Sequence, residues 1–327
     1  MRLVVAGLAL LASACTSMES GRMAKPEWTL LVHGGAGVMA RGTISAVDEA
    51  AYRAGLDAAL EAGSKVLAEG GLALDAVEAA VLVLEDNPLF NAGKGAVLTR
   101  DGEAELDASI MDGRARAAGA VAQIRRVKNP IRAARLVMET TPHVMFAGPD
   151  ADALAARGGL EIVDPSYFIT PGRLEQLKRV IAGRVETWDK RGTVGAVAMD
   201  RAGNLAAGTS TGGMMAKPPG RVGDAPIIGA GTYADNGSCA VSATGHGEYF
   251  IRVGVVRTIC ARVAMQGMDA EAAAEATLDE VKALGGDGGV IVISRSGEAA
   301  LVMNTDGMFR GRADSAGRRE TGIYADD

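Results

Sequence analysis

GTVGAVAMDRAGNLAAGTSTGG, residues 192–213, decides the fold. Two runs of strand length, Val194 to Met199 and Leu205 to Thr211, flank the turn residues Arg-Ala-Gly-Asn, giving strand, turn and strand with Thr193 at the leading edge. Threonine is a good strand former, so propensity alone makes Thr193 the first residue of a buried strand. Its flanks say more. Upstream, LEQLKRVIAGRVETWDKRG (174–192) begins as a helix and ends polar and charged, as a linker does. Glycine at 192 tolerates a strained, exposed peptide. Were the Gly192–Thr193 bond cut, Thr193 would carry a hydroxyl and a free α-amine. The amine's reference pKa of about 7.7–8.0 lets it take the hydroxyl's proton near neutrality, so one residue would supply nucleophile and base.

The 327 residues suffice for a large core without staples. Forty-four glycines, roughly twice the usual share, gather in HGGAG (33–37), TSTGG (209–213) and LGGDGG (284–289), which predicts tight loops. A net charge of −6 without an extended basic run excludes a nucleic-acid partner and favours a small-molecule or dipeptide substrate. At the start, MRLVVAGLALLASAC has the layout of an export signal and is too short to span a membrane. Ala12-Ser13-Ala14 fits simple cleavage, while LASAC fits a lipoprotein signal over residues 1–14 with Cys15 lipidated. The expectation is an exported, periplasmic protein whose membrane contact is a lipid anchor at Cys15, followed by a tether over 15–27. Cys239 and Cys260 both sit among apolar neighbours, which predicts buried free thiols.

A strand from Trp28 to His33 leads into HGGAG. Helices are expected over Ser45 to Glu69, Leu74 to Asp86 and Ile131 to Glu139, with paired strands near Ala104 to Met111 and Ala118 to Ile124. His143 to Ala147 reads as a buried strand, making His143 a core residue. After residue 193 come further strands, helices from about Glu248 to Gln266 and from Ala270 to Leu284, and closing strands. Consecutive strands between blocks of helix predict an α+β sandwich of sheets covered by helices. With three histidines and no H-E-x-x-H, a zinc hydrolase is not indicated.

Six motifs in order resemble the plant-type L-asparaginase and isoaspartyl peptidase family of N-terminal-nucleophile hydrolases. They are LVHGGAG (31–37), LEDNPLFNAGKGAV (84–97), ELDASIMDG (105–113), the run from Gly192 to Gly231, SATGHGEYFIR (242–252) and LGGDGGVIVI (284–293). The resemblance implies a four-layer αββα fold, cut into an α-chain over 28–192 and a β-chain over 193–327, and a homodimer of cleaved αβ units. It implies Thr193 as nucleophile and Thr211 as its orienting hydroxyl. Arg221 and Asp224 match the pair that holds the substrate's α-carboxylate and α-ammonium, Thr244 and Gly245 match the oxyanion hole, and Asn91 matches a residue near the nucleophile. His246 stands beside the oxyanion residues and bears on substrate preference. No cofactor is implied for the chemistry; a structural sodium ion is, on backbone carbonyls of Leu84, Glu85, Asn87, Phe90, Ala92 and Lys94. The implied activity is hydrolysis of β-aspartyl amide bonds, in isoaspartyl dipeptides and L-asparagine. Two alternatives remain open: a glycosylasparaginase, and a lipid-anchored amino-acid-binding protein that no longer turns over.

Overall fold

The computed structural model describes residues 26–37, 40–183 and 192–327. The leader, Cys15 and most of the tether lie outside the described residues, as does 184–191 of the linker. Among the described residues, twelve strands form two sheets. The larger has the order β12-β11-β1-β5-β6-β2-β3-β4, from β1 (Thr29–Gly37), β2 (Leu106–Asp112), β3 (Ala117–Ile124), β4 (Met145–Ala147), β5 (Val194–Met199), β6 (Leu205–Thr211), β11 (Gly307–Asp314) and β12 (Arg319–Tyr324). The smaller runs β10-β9-β8-β7, from β7 (Thr232–Ala234), β8 (Cys239–Gly245), β9 (Gly288–Ser294) and β10 (Ala299–Met303).

Helices α1 (Ala46–Ala68), α2 (Ala73–Asp86), α3 (Pro130–Thr140) and α4 (Gly148–Arg157) accompany the large sheet, and α5 (Pro171–Ile181) adds Leu177 and Val180 to the same core. Helices α6 (Gly247–Val253), α7 (Val255–Ala261) and α8 (Ala270–Ala283) belong to the small one. Ser45 caps α1 by accepting the Asp48 N–H at 3.1 Å, and Pro130 occupies the first turn of α3, where a missing N–H costs nothing. Ala76, Val77, Ala80, Val81 and Leu84 of α2 form the expected buried face. The sandwich is therefore αββα, the layering that the resemblance implies.

Two-sided burial explains why the central strands read as continuous apolar runs. On β1, Leu30 and Val32 join the helix-side core while Leu31 faces the other sheet. On β5, Val194, Ala196 and Ala198 take the first side and Val197 and Met199 the second. That alternation turns Thr193, Thr211 and Asp107 toward the space between the sheets, at one end of it.

Four expectations need correction. HGGAG is not a loop but the bulged end of β1, still paired with β11 through Gly37↔Gly307; glycine here serves close approach rather than turning. The helix expected over Glu248 to Gln266 breaks at Gly254, whose φ of 63° closes α6 before α7 begins. His143 precedes β4 and is exposed, and β4 is an edge strand of which only Phe146 packs against the core, so the apolar letters there do not mean burial. Finally, Cys239 and Cys260 are buried as predicted but bonded, with Cα atoms 5.3 Å apart and a sequence separation of 21. Apolar neighbours report burial; they do not separate thiol from disulfide. Replacing both by serine is expected to lower stability by about 3 kcal/mol, the loop-closure value for a ring of this size. Denaturant melts with and without reductant check this: reductant should shift the midpoint of the parent protein and leave the double variant unmoved.

Candidate active site

Thr193 sits at the start of β5, 7% exposed, opposite the end of β6. Its hydroxyl donates to Thr211 Oγ1 at 3.1 Å. The same oxygen accepts the Gly213 N–H at 2.9 Å, so Thr211 is fixed by the turn it begins. Asn91 clasps that turn: its amide donates to Gly213 O at 2.7 Å, its Oδ1 accepts Val97 N–H at 2.8 Å, and its own carbonyl accepts Gly212 N–H at 3.2 Å. The contact of Asn91 with the nucleophile thus runs through the 211–213 backbone.

The peptide before Thr193 is enclosed by glycine and hydroxyl. A Cβ on Gly35, whose φ is +116°, would come within 2.6 Å of Gly192 N and 2.8 Å of Gly192 O, which accounts for glycine at that point of β1. On the other side, Thr244 Oγ1 lies about a van der Waals contact from Gly192, at 3.2 Å from where its Cβ would be. That hydroxyl is fully buried and accepts the Ala36 N–H at 3.3 Å, which leaves its hydrogen to donate. Gly245 ends β8 beside Gly288. His246 follows, donating its N–H to Asp287 O at 2.9 Å and setting its ring edge-on to Tyr249.

Arg221 and Asp224 converge on one loop without pairing directly. Arg221 turns its planar fork to Glu248, Nε to Oε1 at 3.0 Å and Nη2 to Oε2 at 3.1 Å. Asp224 is 4% exposed. Burial pushes its carboxyl up to about 7, against the opposing pull of its own backbone N–H and of Arg221. Among the described residues, its Oδ2 is buried without a donor. A buried acceptor of that kind is costly unless a ligand supplies the hydrogen.

Glu248 was not anticipated, since its pairing with Arg221 spans 27 residues and carries no spacing signal. Nor was the group behind the clamp. There Lys217, 3% exposed, donates Nζ to Glu105 O at 2.9 Å. Burial lowers its pKa and raises that of Asp107, each opposed by the other's charge.

The 84–94 loop folds its backbone inward. Asn87 O accepts Phe90 N–H at 3.2 Å, Phe90 O accepts Ala92 N–H at 3.0 Å and Ala92 O accepts Gly95 N–H at 3.0 Å. Each carbonyl keeps a second lone pair, and the oxygens of Glu85 and Phe90 crowd Gly93 and Gly95. Neutral oxygen donors of this kind fit a hard monovalent cation. The Glu85 side chain is turned elsewhere: fully buried, its Oε1 accepts Ser210 Oγ at 2.6 Å and Ile131 N–H at 2.9 Å. Burial, the dominant influence, pushes its carboxyl up to about 8. A folded pKa above the unfolded one favours folding fully below about pH 4.5, and that contribution is lost as pH rises through 8. Glu85→Gln, which keeps the accepting oxygen, is expected to flatten the fall in melting temperature between pH 6 and 9. Melts of both proteins across that range test it.

A family model described as Asparaginase matches residues 26–323. The Isoaspartyl peptidase of Salmonella typhimurium is 47% identical over 306 residues, covering 90% of this chain and 98% of the relative. That of Escherichia coli is 48% identical over 309 residues, 90% and 95% of the two chains. The human Isoaspartyl peptidase/L-asparaginase is 42% identical over 303 residues, 91% and 96%.

Proposed function

From the premise that this chain belongs to the asparaginase family and is a hydrolase of it, we propose that it is an N-terminal threonine amidohydrolase. It cleaves β-aspartyl amide bonds, in isoaspartyl dipeptides and in L-asparagine, as the relatives' names say of them. The observation that carries the reading is the meeting of Thr193, Thr211 and Thr244 around the Gly192 peptide.

The chain first cuts itself. Thr193 Oγ1 attacks the Gly192 carbonyl carbon, its hydroxyl proton passes to the Thr193 nitrogen as the C–N bond breaks and the ester forms, and water hydrolyses that ester. Gly192 leaves as a carboxylate and Thr193 gains its α-amine. In turnover the amine takes the hydroxyl proton and the oxygen attacks the substrate's side-chain carbonyl. The Thr244 hydroxyl and the Gly245 N–H then meet the developing oxyanion. The proton passes to the leaving amine, and water releases aspartate from the β-aspartyl ester.

Arg221 grips the α-carboxylate with a two-pronged fork and Asp224 answers the α-ammonium. For Arg221 to do so, its fork must exchange Glu248, which is half exposed, for substrate. Sodium held by the 84–94 carbonyls would stiffen the loop that carries Asn91. The αβ units would pair as a homodimer. Parallel assays on a β-aspartyl dipeptide, L-asparagine and glycosylated asparagine test the substrate class. Turnover of the glycosylated compound alone would overturn it, and so would ligand binding without any turnover; neither alternative reading draws support from the relatives' names.

Export with a lipid at Cys15 belongs to the same proposal. The Cys239–Cys260 bond supports an oxidising compartment. Cys15→Ala is expected to move the protein from the membrane to the soluble fraction; unchanged partitioning would contradict lipidation.

A further inference from the structure

The layer between the sheets is built from residues such as Leu31, Val197, Met199 and Ala207, and one line of polar groups crosses it. His33, Gly195, Thr209 and Ser109 form a single row across four adjacent strands, through the pairs His33↔Gly195, Gly195↔Thr209 and Ser109↔Thr209. Facing it on the small sheet is the pair Thr232↔Ser242. All five polar side chains are fully buried. Gly195 leaves the gap in the row: a Cβ there would lie 2.1 Å from Ser242 Oγ and 2.4 Å from His33 Nε2.

These groups form one continuous line of contacts, with side branches from Thr209 and Ser242 to backbone carbonyls. His33 Nδ1 meets Thr193 O at 3.1 Å and its Nε2 meets Ser242 Oγ at 2.9 Å. Ser242 Oγ meets Thr209 Oγ1 at 2.7 Å, Thr209 meets Thr232 at 2.5 Å, and Thr232 meets Ser109 at 2.8 Å. Ser109 Oγ reaches Ala225 O at 2.6 Å. One end is thus the carbonyl of the nucleophile; the other is the carbonyl of the residue after Asp224. Both ends can only accept.

The hydrogens do not suffice. Burial lowers the His33 pKa to about 3, so the imidazole is neutral and carries one. With four hydroxyls this makes five hydrogens for eight contacts, because Thr209 Oγ1 also reaches Gly231 O at 3.1 Å and Ser242 Oγ reaches Gly208 O at 3.2 Å. When the order runs toward His33, the Ala225 carbonyl is left without its bond. When it runs toward Ala225, the Thr193 carbonyl is. Buried polar chains of this kind act as units, because a group that loses its partner deep in the core has no water to turn to.

We propose that this seam is a positioning network for the reaction. It ties the nucleophile's carbonyl to the backbone of the Asp224 clamp, with Thr209 as central link and Ser109 as the clamp-side anchor. The inference rests on the activity proposed above. It gives the two ends different phenotypes. Without the Ser109 hydroxyl, the four remaining hydrogens can still run from Thr232 through Thr209, Ser242 and His33 to Thr193 O, and only the clamp is loosened. Removing Thr209 breaks the chain in the middle and loosens both ends.

The test compares Ser109→Ala, Thr209→Val and Thr209→Ser for self-cleavage, KM and kcat on a β-aspartyl dipeptide, L-aspartate affinity by calorimetry, and melting temperature. Loss of one buried hydrogen-bonding group is expected to raise KM and the aspartate Kd of Ser109→Ala by roughly 10-fold with kcat within about 3-fold. Thr209→Val should lose at least ~10-fold in kcat/KM, with kcat reduced as well, and Thr209→Ser should recover to within about 3-fold. A role in stability alone would lower melting temperatures and leave these constants unchanged in folded protein, which would overturn the proposal. If Thr209→Val does not fold, Ser109→Ala decides, unchanged aspartate affinity being the contrary result. A parent protein that neither cuts itself nor hydrolyses the dipeptide would sink the proposed activity, while the aspartate affinities would still report on the clamp end of the seam.

Discussion

Thr193→Ala is expected to yield a chain that stays uncut at Gly192 and hydrolyses no β-aspartyl amide above background. Removing a nucleophile that also supplies the base takes away the bond-forming atom, and such losses are on the order of 10⁴-fold or more in kcat. The fold should survive. The substitution removes one hydroxyl, and with it the 3.1 Å bond to Thr211, a loss of about 1 kcal/mol. The backbone pairing of β5 with β1 and β6 is untouched. Intact-mass analysis and a thermal melt of the variant beside the parent check both halves. Thr193→Ser keeps the hydroxyl and should cut itself, more slowly. An alanine variant that is folded, uncut and inactive separates chemistry from stability.

The second large effect belongs to the clamp. Asp224→Asn keeps the shape of the side chain and removes the charge that answers the substrate's ammonium. Truncating one member of a buried charged pair costs about 2–5 kcal/mol, so kcat/KM should fall by roughly 30-fold or more. The pH profile carries a further signature. Asp224 binds ammonium only when ionised, and burial has pushed its carboxyl up to about 7. In the parent protein kcat/KM should therefore rise with pH through about 7, because kcat/KM reports the free enzyme. A second rise, near the 7.7–8.0 expected of an α-amine, belongs to Thr193. Asp224→Asn should abolish the first limb and keep the second. Stability moves the other way: with its folded pKa raised, Asp224 favours folding most at low pH, and that contribution is lost as pH rises through about 7. The variant should accordingly melt higher than the unliganded parent at pH 8, the mark of a site whose buried charge serves binding rather than folding.

What could be read from the letters was whatever is local in the chain. The strand, turn and strand of 192–213, the capped helix after Ser45 and the apolar face of α2 follow from residues that touch their own neighbours in sequence. The candidate site was legible through six short motifs whose order mattered more than any one of them. What escaped depends on pairing across distance. Glu248 reaches Arg221 only once α6 is folded against the 217–224 loop. Lys217 comes beside Asp107 behind the clamp through its bridge to Thr99 and its Nζ bond to Glu105 O, contacts that span more than a hundred residues. The row from His33 to Ser109 needs the register of four strands, and no spacing along the chain encodes it. HGGAG misled for a related reason: its glycines allow one strand to press against the Gly192 peptide, and in the sequence that looks the same as a turn.

Self-cleavage is the claim on which the rest stands, and the masses of the polypeptides in freshly purified parent protein test it most directly. Two chains are predicted, one ending at Gly192 and one beginning at Thr193. A single full-length chain that nonetheless hydrolyses a β-aspartyl dipeptide would contradict the mechanism, since Thr193 would then have no free amine to take the proton.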